Sequence, residues 1–283
     1  MGLFIPPCGF GYYTSNLTGT PPAATVGTNF TFGAANADGA TVGVITSATT
    51  RDVHRIVVSF GGCATTTEDN SALVDILRDP AGGTSYTNWI DNLAGGFSAV
   101  PAGGTTPLSH HYDFPIFLKA GATLAVRARK NGATAATGGR IIIHLFGDPS
   151  RPEQYWCGQG IEALGINEAT SKGTSHTPGN TGALSTFATI GTSTRRYGNL
   201  AMAINGSDGT MTAIGYYWQI GIGSARAPGT PTFYHANTTA EVSSRSSFLH
   251  SIPCDIPSGT ALQVRGTASG TAEAHNVAFY GCY

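Results

Sequence analysis

The residues that could carry chemistry are few and scattered. His110, His111 and Asp113 form the densest metal-like group. On a strand, adjacent side chains point to opposite faces, so His110 and His111 would not share one ion, and the group reads as a polar loop before Phe114. Glu68-Asp69 is a carboxylate pair, but Thr65-Thr66-Thr67 and Asn70 around it read as a turn. Glycoside hydrolysis needs two carboxylates set across the substrate, and no second pair of this kind appears in the latter half of the chain. No serine has glycine at both −2 and +2, no histidine opens H-E-x-x-H, and neither glycine-rich phosphate loop is present. The five cysteines are odd in number and lack C-x-x-C spacing, which excludes a zinc ribbon. Buried thiols are one use for them, and crosslinks between subunits, with Cys8 and Cys157 first in line, are another. The expectation is a protein that is not an enzyme and holds no cofactor or metal.

Aromatic residues offer more. Tyr216, Tyr217 and Trp218 are consecutive, so on a strand Tyr216 and Trp218 share one face and Tyr217 takes the other. One face must be core, which leaves an aromatic outside in either register. That outer aromatic suits an ordinary surface position, a subunit contact or a sugar-stacking platform. Tyr12-Tyr13 and Tyr155-Trp156 flank Cys8-Gly-Phe-Gly11 and Cys157-Gly-Gln-Gly160, and are expected at borders where one unit docks on another.

The elements that must position these residues come from a repeat. Gly121-Ala-Thr-Leu-Ala-Val-Arg127 and Gly259-Thr-Ala-Leu-Gln-Val-Arg265 both read G-x-x-L-x-V-R, 138 residues apart. The two Cys-Gly segments lie 149 apart, and Gly43–Arg51 matches Phe187–Arg195 at 144. The same 144 aligns Val57–Gly62 with Ala201–Gly206 and Asp75–Pro80 with Gln219–Ser224. The closing aromatic-glycine pairs, at Gly147 and Gly281, lie 134 apart. An offset that only shrinks is what a tandem copy with shorter loops would give. Arg127 and Arg265 then hold equivalent positions, which favours a structural role for both. The expected domains are residues 1–150, a first β-sandwich with an N-terminal arm, and 151–283, a second, with Asp148–Pro152 as linker.

Alternation and β-branching place strands at Ala40–Ile45, Val53–Phe60, Leu73–Leu77, Phe114–Leu118, Thr123–Arg129 and Ile141–Phe146. The second copy gives Phe187–Ile190, Leu200–Ile204, Ile214–Ile222, Phe248–Ile252, Ala261–Arg265 and Asn276–Tyr280. Turn signals such as Asp38-Gly39 and Asn131-Gly132 separate them. The fold class is all-β: two tandem antiparallel β-sandwiches, jelly-roll-like, with short helical turns expected at Tyr86–Leu93 and Ile161–Ile166. Only 11% of the 283 residues are charged, 39 are glycine, and the net charge is −1. Nucleic acid calls for clustered cations, and the densest basic spots are Arg195-Arg196 and Arg127-Ala-Arg129-Lys130. No apolar run reaches bilayer length, and Met1–Cys8 lacks the basic and apolar regions of a signal peptide.

Asp75–Tyr86, Asn92-Leu93, Phe114–Gly121 and Leu124–Arg129 together resemble a module of virion structural proteins from tailed bacteriophages. Ile256-Pro-Ser-Gly259 through Val264-Arg265 resembles the same family's I-P-[AS]-G turn and strand, where the first copy has Lys119 in place of proline. The resemblance implies a non-enzymatic β-sandwich component of the capsid surface, neck or collar, or tail, in a virion assembled in the host cytoplasm. Its implied partners are further copies of itself and other virion proteins, with neither nucleic acid nor membrane. The rival expectation is a carbohydrate- or receptor-binding module of a tail or fibre, using Tyr216, Tyr217 or Trp218.

Overall fold

A computed structural model describes residues 12–15, 27–39, 42–61, 70–97, 110–130, 138–147, 158–167, 173–204, 210–211, 215–223, 225–227, 232–236, 241–242, 247–248 and 252–283. Every regular element among them is a strand. The first half holds β1 (Tyr12–Ser15), β2 (Thr28–Ala35), β3 (Gly43–Thr46), β4 (Arg55–Gly61), β5 (Asn70–Asp79), β6 (Thr87–Phe97), β7 (His110–Phe114), β8 (Thr123–Lys130) and β9 (Gly138–Phe146). The second holds β10 (Ile161–Leu164), β11 (Thr174–His176), β12 (Ala188–Thr192), β13 (Tyr197–Ile204), β14 (Thr210–Met211), β15 (Gly215–Ile222) and β16 (Ala225–Arg226). It continues with β17 (Phe233–Ala236), β18 (Glu241–Val242), β19 (Ser247–Phe248), β20 (Ile252–Ile256), β21 (Ala261–Ala268) and β22 (His275–Cys282).

In the first half, β1-β9-β4-β7 and β3-β8-β5-β6 form two antiparallel sheets. In the second, β10-β22-β13-β20 and β12-β21-β15-β17 repeat that order. Counting β1 and β3 to β9 in the first half, and β10, β12, β13, β15, β17 and β20 to β22 in the second, the first, eighth, third and sixth strands make one sheet and the second, seventh, fourth and fifth the other. That order is a jelly roll, so the chain carries two β-sandwiches. β2 crosses between the first pair of sheets, antiparallel to β9 and parallel to β8.

Local details recur with the same spacing. At Ile45 on β3 and Ile190 on β12 the pairing skips one residue, and both side chains tuck into the core. Thr49 and Ser193 each exchange two backbone hydrogen bonds with the glycine turn that opens the next strand. Gly121 and Gly259 sit at φ 92° and 81°, a conformation that costs glycine little. The Ser193 hydroxyl donates to the Pro257 carbonyl at 2.8 Å, and the Thr49 hydroxyl to the Lys119 carbonyl at 3.3 Å. Lys119 thus fills the Pro257 position without loss of the turn. The closing strands match two residues away from the aromatic-glycine alignment, since Phe146 and Cys282 occupy equivalent registers opposite Arg55 and Asn199.

Neither expected helix forms. Tyr86–Leu93 falls largely on β6, where Asp91 and Asn92 together oppose Asp75, a β-bulge with Asn92 at φ 55°. That bulge and a second irregularity, where the ladder skips Trp89 between Ile90 and Asn88, put Trp89, Ile90 and Leu93 all inside, and that spacing imitates a helical stripe. Ile161–Leu164 is β10, which extends the first half's sheet by pairing parallel to β6 at Ile90.

The two sandwiches are joined through a shared sheet. On β13, Leu200, Met202 and Ile204 face the second half's core, while the smaller Ala201 and Ala203 face the first half's. On β22, Val277 and Phe279 point one way, and Ala278, Tyr280 and Cys282 the other. Both strands are buried throughout, as strands covered on two faces must be. Tyr280 packs edge-on to Tyr112 at 5.6 Å, and the Trp89 indole donates to the Gln159 carbonyl. The expected linker Asp148–Pro152 lies outside the described residues.

Candidate functional site

β15 carries the aromatic triplet. Tyr216 and Trp218 are fully buried, with ring centroids 6.4 Å apart and His275 wedged at 4.3 Å and 5.3 Å. Both belong to the core because β15 alternates and its inner face meets Met202, Phe279 and Val264. They are therefore withdrawn as ligand-contacting aromatics. Tyr217 points outward and keeps 45% of its surface exposed.

Its neighbour is a residue that the triplet did not reveal. Tyr234 on β17 lies directly opposite Tyr217, 59% exposed, with the rings 5.0 Å apart and inclined by 50°. Gly215 makes room for it, since a Cβ there would stand 3.0 Å from the Tyr234 ring. The alternation Phe233-Tyr234 was the available signal, but it gains meaning only once β17 is paired with β15.

The same outer face carries Gln219 and Arg265 as cross-strand partners, and the Arg265 Nε donates to the Gln219 amide oxygen at 2.9 Å. The guanidinium also lies over the Phe187 ring, 4.4 Å from its centroid. At the edge, Arg226 stands opposite Gly221. Gln263 donates to the Thr189 hydroxyl at 3.0 Å. No Asp or Glu occurs on β12, β15, β16, β17 or β21.

The equivalent face of the first half is built differently. Asp75 and Arg127 occupy the register of Gln219 and Arg265. Arg127 Nε lies 3.2 Å from Asp75, and Asp38 bridges Arg127 and Arg129 at 3.2 Å and 2.7 Å. Asp75 is 2% exposed and accepts the Asn92 amide at 2.7 Å, which holds the β6 bulge in place. Burial raises its carboxyl pKa above the ordinary value, opposed by the Asn92 amide, Arg129 and Arg127. Asp91 is raised too, by burial first and then by the charge of Asp75.

Among the other expected sites, His110–Asp113 form no loop but lie on β7, paired along β4, where Asp113 pairs with Arg55 through both oxygens, at 2.8 Å and 2.5 Å, and His111 bonds the Ser59 hydroxyl. Among the described residues no three His, Cys, Asp or Glu gather around a common point. The Cys282 thiol donates to the Pro115 carbonyl at 3.3 Å, and burial followed by Asp255 pushes the Cys254 thiol up to about 12, which keeps it protonated. Tyr12 and Tyr13 lie on β1 against β9. Cys8, Cys157, Tyr155, Trp156 and Glu68-Asp69 lie outside the described residues. No helix among the described residues is long and apolar enough to cross a membrane.

No family model matches the chain, and no curated protein matches it. Among solved structures it is similar to the N-terminal CBM22-1-CBM22-2 tandem domain of Paenibacillus barcinonensis Xyn10C. That match has 9% identity, covers 89% of this chain and 85% of that one, and has a TM-score of 0.27, a likeness too slight to carry any argument.

Proposed function

We propose that this protein is a non-enzymatic structural component of a tailed-phage virion, a capsid decoration, neck or collar, or tail-associated part. It acts through subunit interfaces with copies of itself and with other virion proteins. The observation that carries this reading is the shared sheet: β13 and β22 are buried on both faces, so two jelly rolls, tandem copies of one module, form a single block. A block of this kind suits a part that bears load and leaves its outer faces to neighbours. The sequence resemblance around Asp75–Tyr86, Phe114–Arg129 and Ile256–Arg265 supplies the particle. The test is the native mass of the purified chain, with proteomics of purified particles from a host that carries the gene. A stable oligomer and a fixed copy number per particle are expected. A clean monomer that is absent from particles would sink the proposal.

A second reading, a carbohydrate- or receptor-binding module of a tail or fibre, is favoured by one observation, the exposed Tyr217–Tyr234 pair. Exposed aromatics clustered on one face mark contact surfaces.

A further inference from the structure

Resting on that second reading, we infer that the outer face of β12-β21-β15-β17 binds an acidic polysaccharide, with Tyr217 and Tyr234 stacking against sugar rings and Arg265 taking a sugar carboxylate. The strands of this face carry Arg265 and Arg226 and no acidic residue, although the whole chain is slightly negative. In the first half the equivalent arginine is neutralised by Asp75, and the equivalent of Asp75 here is neutral Gln219. Among the described residues no carboxylate lies within ion-pair distance of Arg265. Its charge is left for a ligand.

Its orientation is already fixed. Stacking on Phe187 and the Nε bond to Gln219 hold the guanidinium plane, so its terminal nitrogens present a fork to an incoming carboxylate. The aromatic pair stands one rung away. Tyr217 and Gln219 are two residues apart on β15, roughly 7 Å along the strand. A chain running along β15 would therefore meet rings first and the cation next. Gln263, Thr189 and Thr267 supply neutral donors and acceptors beside that track. A protein partner that matched this face would have to bury Arg265 against its own acid, whereas a uronate polymer carries a carboxylate on each sugar.

The experiment measures binding of the full chain to polygalacturonate, to neutral dextran and to polyglutamate, a polyanion without sugar rings. Polygalacturonate is expected to bind at least about tenfold more tightly than either of the others, and less tightly as salt rises. Tyr217→Ala combined with Tyr234→Ala should abolish that binding. Gln219→Glu, close in shape, gives Arg265 a carboxylate within the chain. It should remove the preference for polygalacturonate over dextran while the melting temperature holds or rises. Arg265→Gln should remove the same preference, with the melt confirming a folded chain. Equal binding of polyglutamate, or polygalacturonate binding unchanged in Gln219→Glu, would overturn the acidic-sugar assignment while leaving a neutral-glycan face open. Binding to neither polysaccharide would overturn the assignment and the carbohydrate reading together.

Discussion

The outer faces of the two sandwiches place the same arginine at the same register and use it in opposite ways. In the first half, Arg127 is tied into a network with Asp75, Asp38 and Asn88, and Asp75 in turn clamps the bulge of β6. In the second, Arg265 leans on Phe187 and a neutral amide beside two exposed tyrosines. Strand pairing decides where the guanidinium sits, and the residue opposite decides whether its charge is spent inside the chain. Asp75 against Gln219, with Asp38 added on the first side, therefore separates an arginine paired within the chain from one with no carboxylate partner among the described residues.

The largest effect should come from breaking the paired side. Asp75→Ala leaves the Asn92 amide unpaired and both arginines with Asp38 alone, and should destabilise the protein by about 3 kcal/mol in urea unfolding. Gln219→Ala, at the equivalent place, removes the bond from Arg265 and a long, exposed one to Thr232, and should cost about 1 kcal/mol or less. Equal losses at the two positions would show that the contrast is superficial. Tyr280 reaches the same bulge from the other half, accepting the Ala94 amide and donating to the Asn92 carbonyl. Tyr280→Phe strands that amide and should cost about 1–3 kcal/mol, again by urea unfolding.

The pH dependence sharpens the comparison by direction. Asp75 and Asp91 have raised pKa values in the folded chain, so the stability they contribute is complete below the unfolded carboxylate pKa and is lost as pH rises through the folded values. Thermal melts should therefore show these two groups favouring the mildly acidic range over neutrality. Asp91→Asn should flatten that part of the profile, and an unchanged profile would remove Asp91 from the explanation. The smallest effect belongs to the outer face of the second sandwich: Tyr217→Ala should change the unfolding free energy by about 0.5 kcal/mol or less, because nearly half of the ring stays in solvent.

Much of this architecture could be read from the residues. Ten of the twelve strands placed by alternation fall on observed strands, because each has a clear inner face of apolar residues, whereas Phe114–Leu118 shares only Phe114 with β7, and Phe248–Ile252 meets β19 and β20 at its two ends with 249–251 outside the described residues. The repeat was legible because turn glycines and the G-x-x-L-x-V-R strand are local features with local causes. β6 was not, since a bulge breaks the two-residue period and Trp89, Ile90 and Leu93 then keep helical spacing. The burial of β13 on two faces was also hidden: alternating Leu200, Ala201, Met202 and Ala203 reads as a strand but does not say that a second core lies behind the alanines. For the site, alternation in Tyr216-Tyr217-Trp218 implied one outer ring, yet Tyr234 and the Gln219–Arg265 pairing depend on strand neighbours far apart in sequence.

The shared sheet also sets an order of events during synthesis. Ala278, Tyr280 and Cys282, on the last strand, line the core of the first sandwich, and Tyr280 bonds to β6 across 186 residues. Domains usually fold as they leave the ribosome, amino-terminal unit first. Here the first sandwich can collapse early but cannot close its core until β22 has emerged and docked. The earlier half waits on the later one, and a chain stopped short of β22 would leave Tyr112, Phe114 and the Ala94 amide without the Tyr280 side chain they meet, an unfinished core open to quality-control machinery.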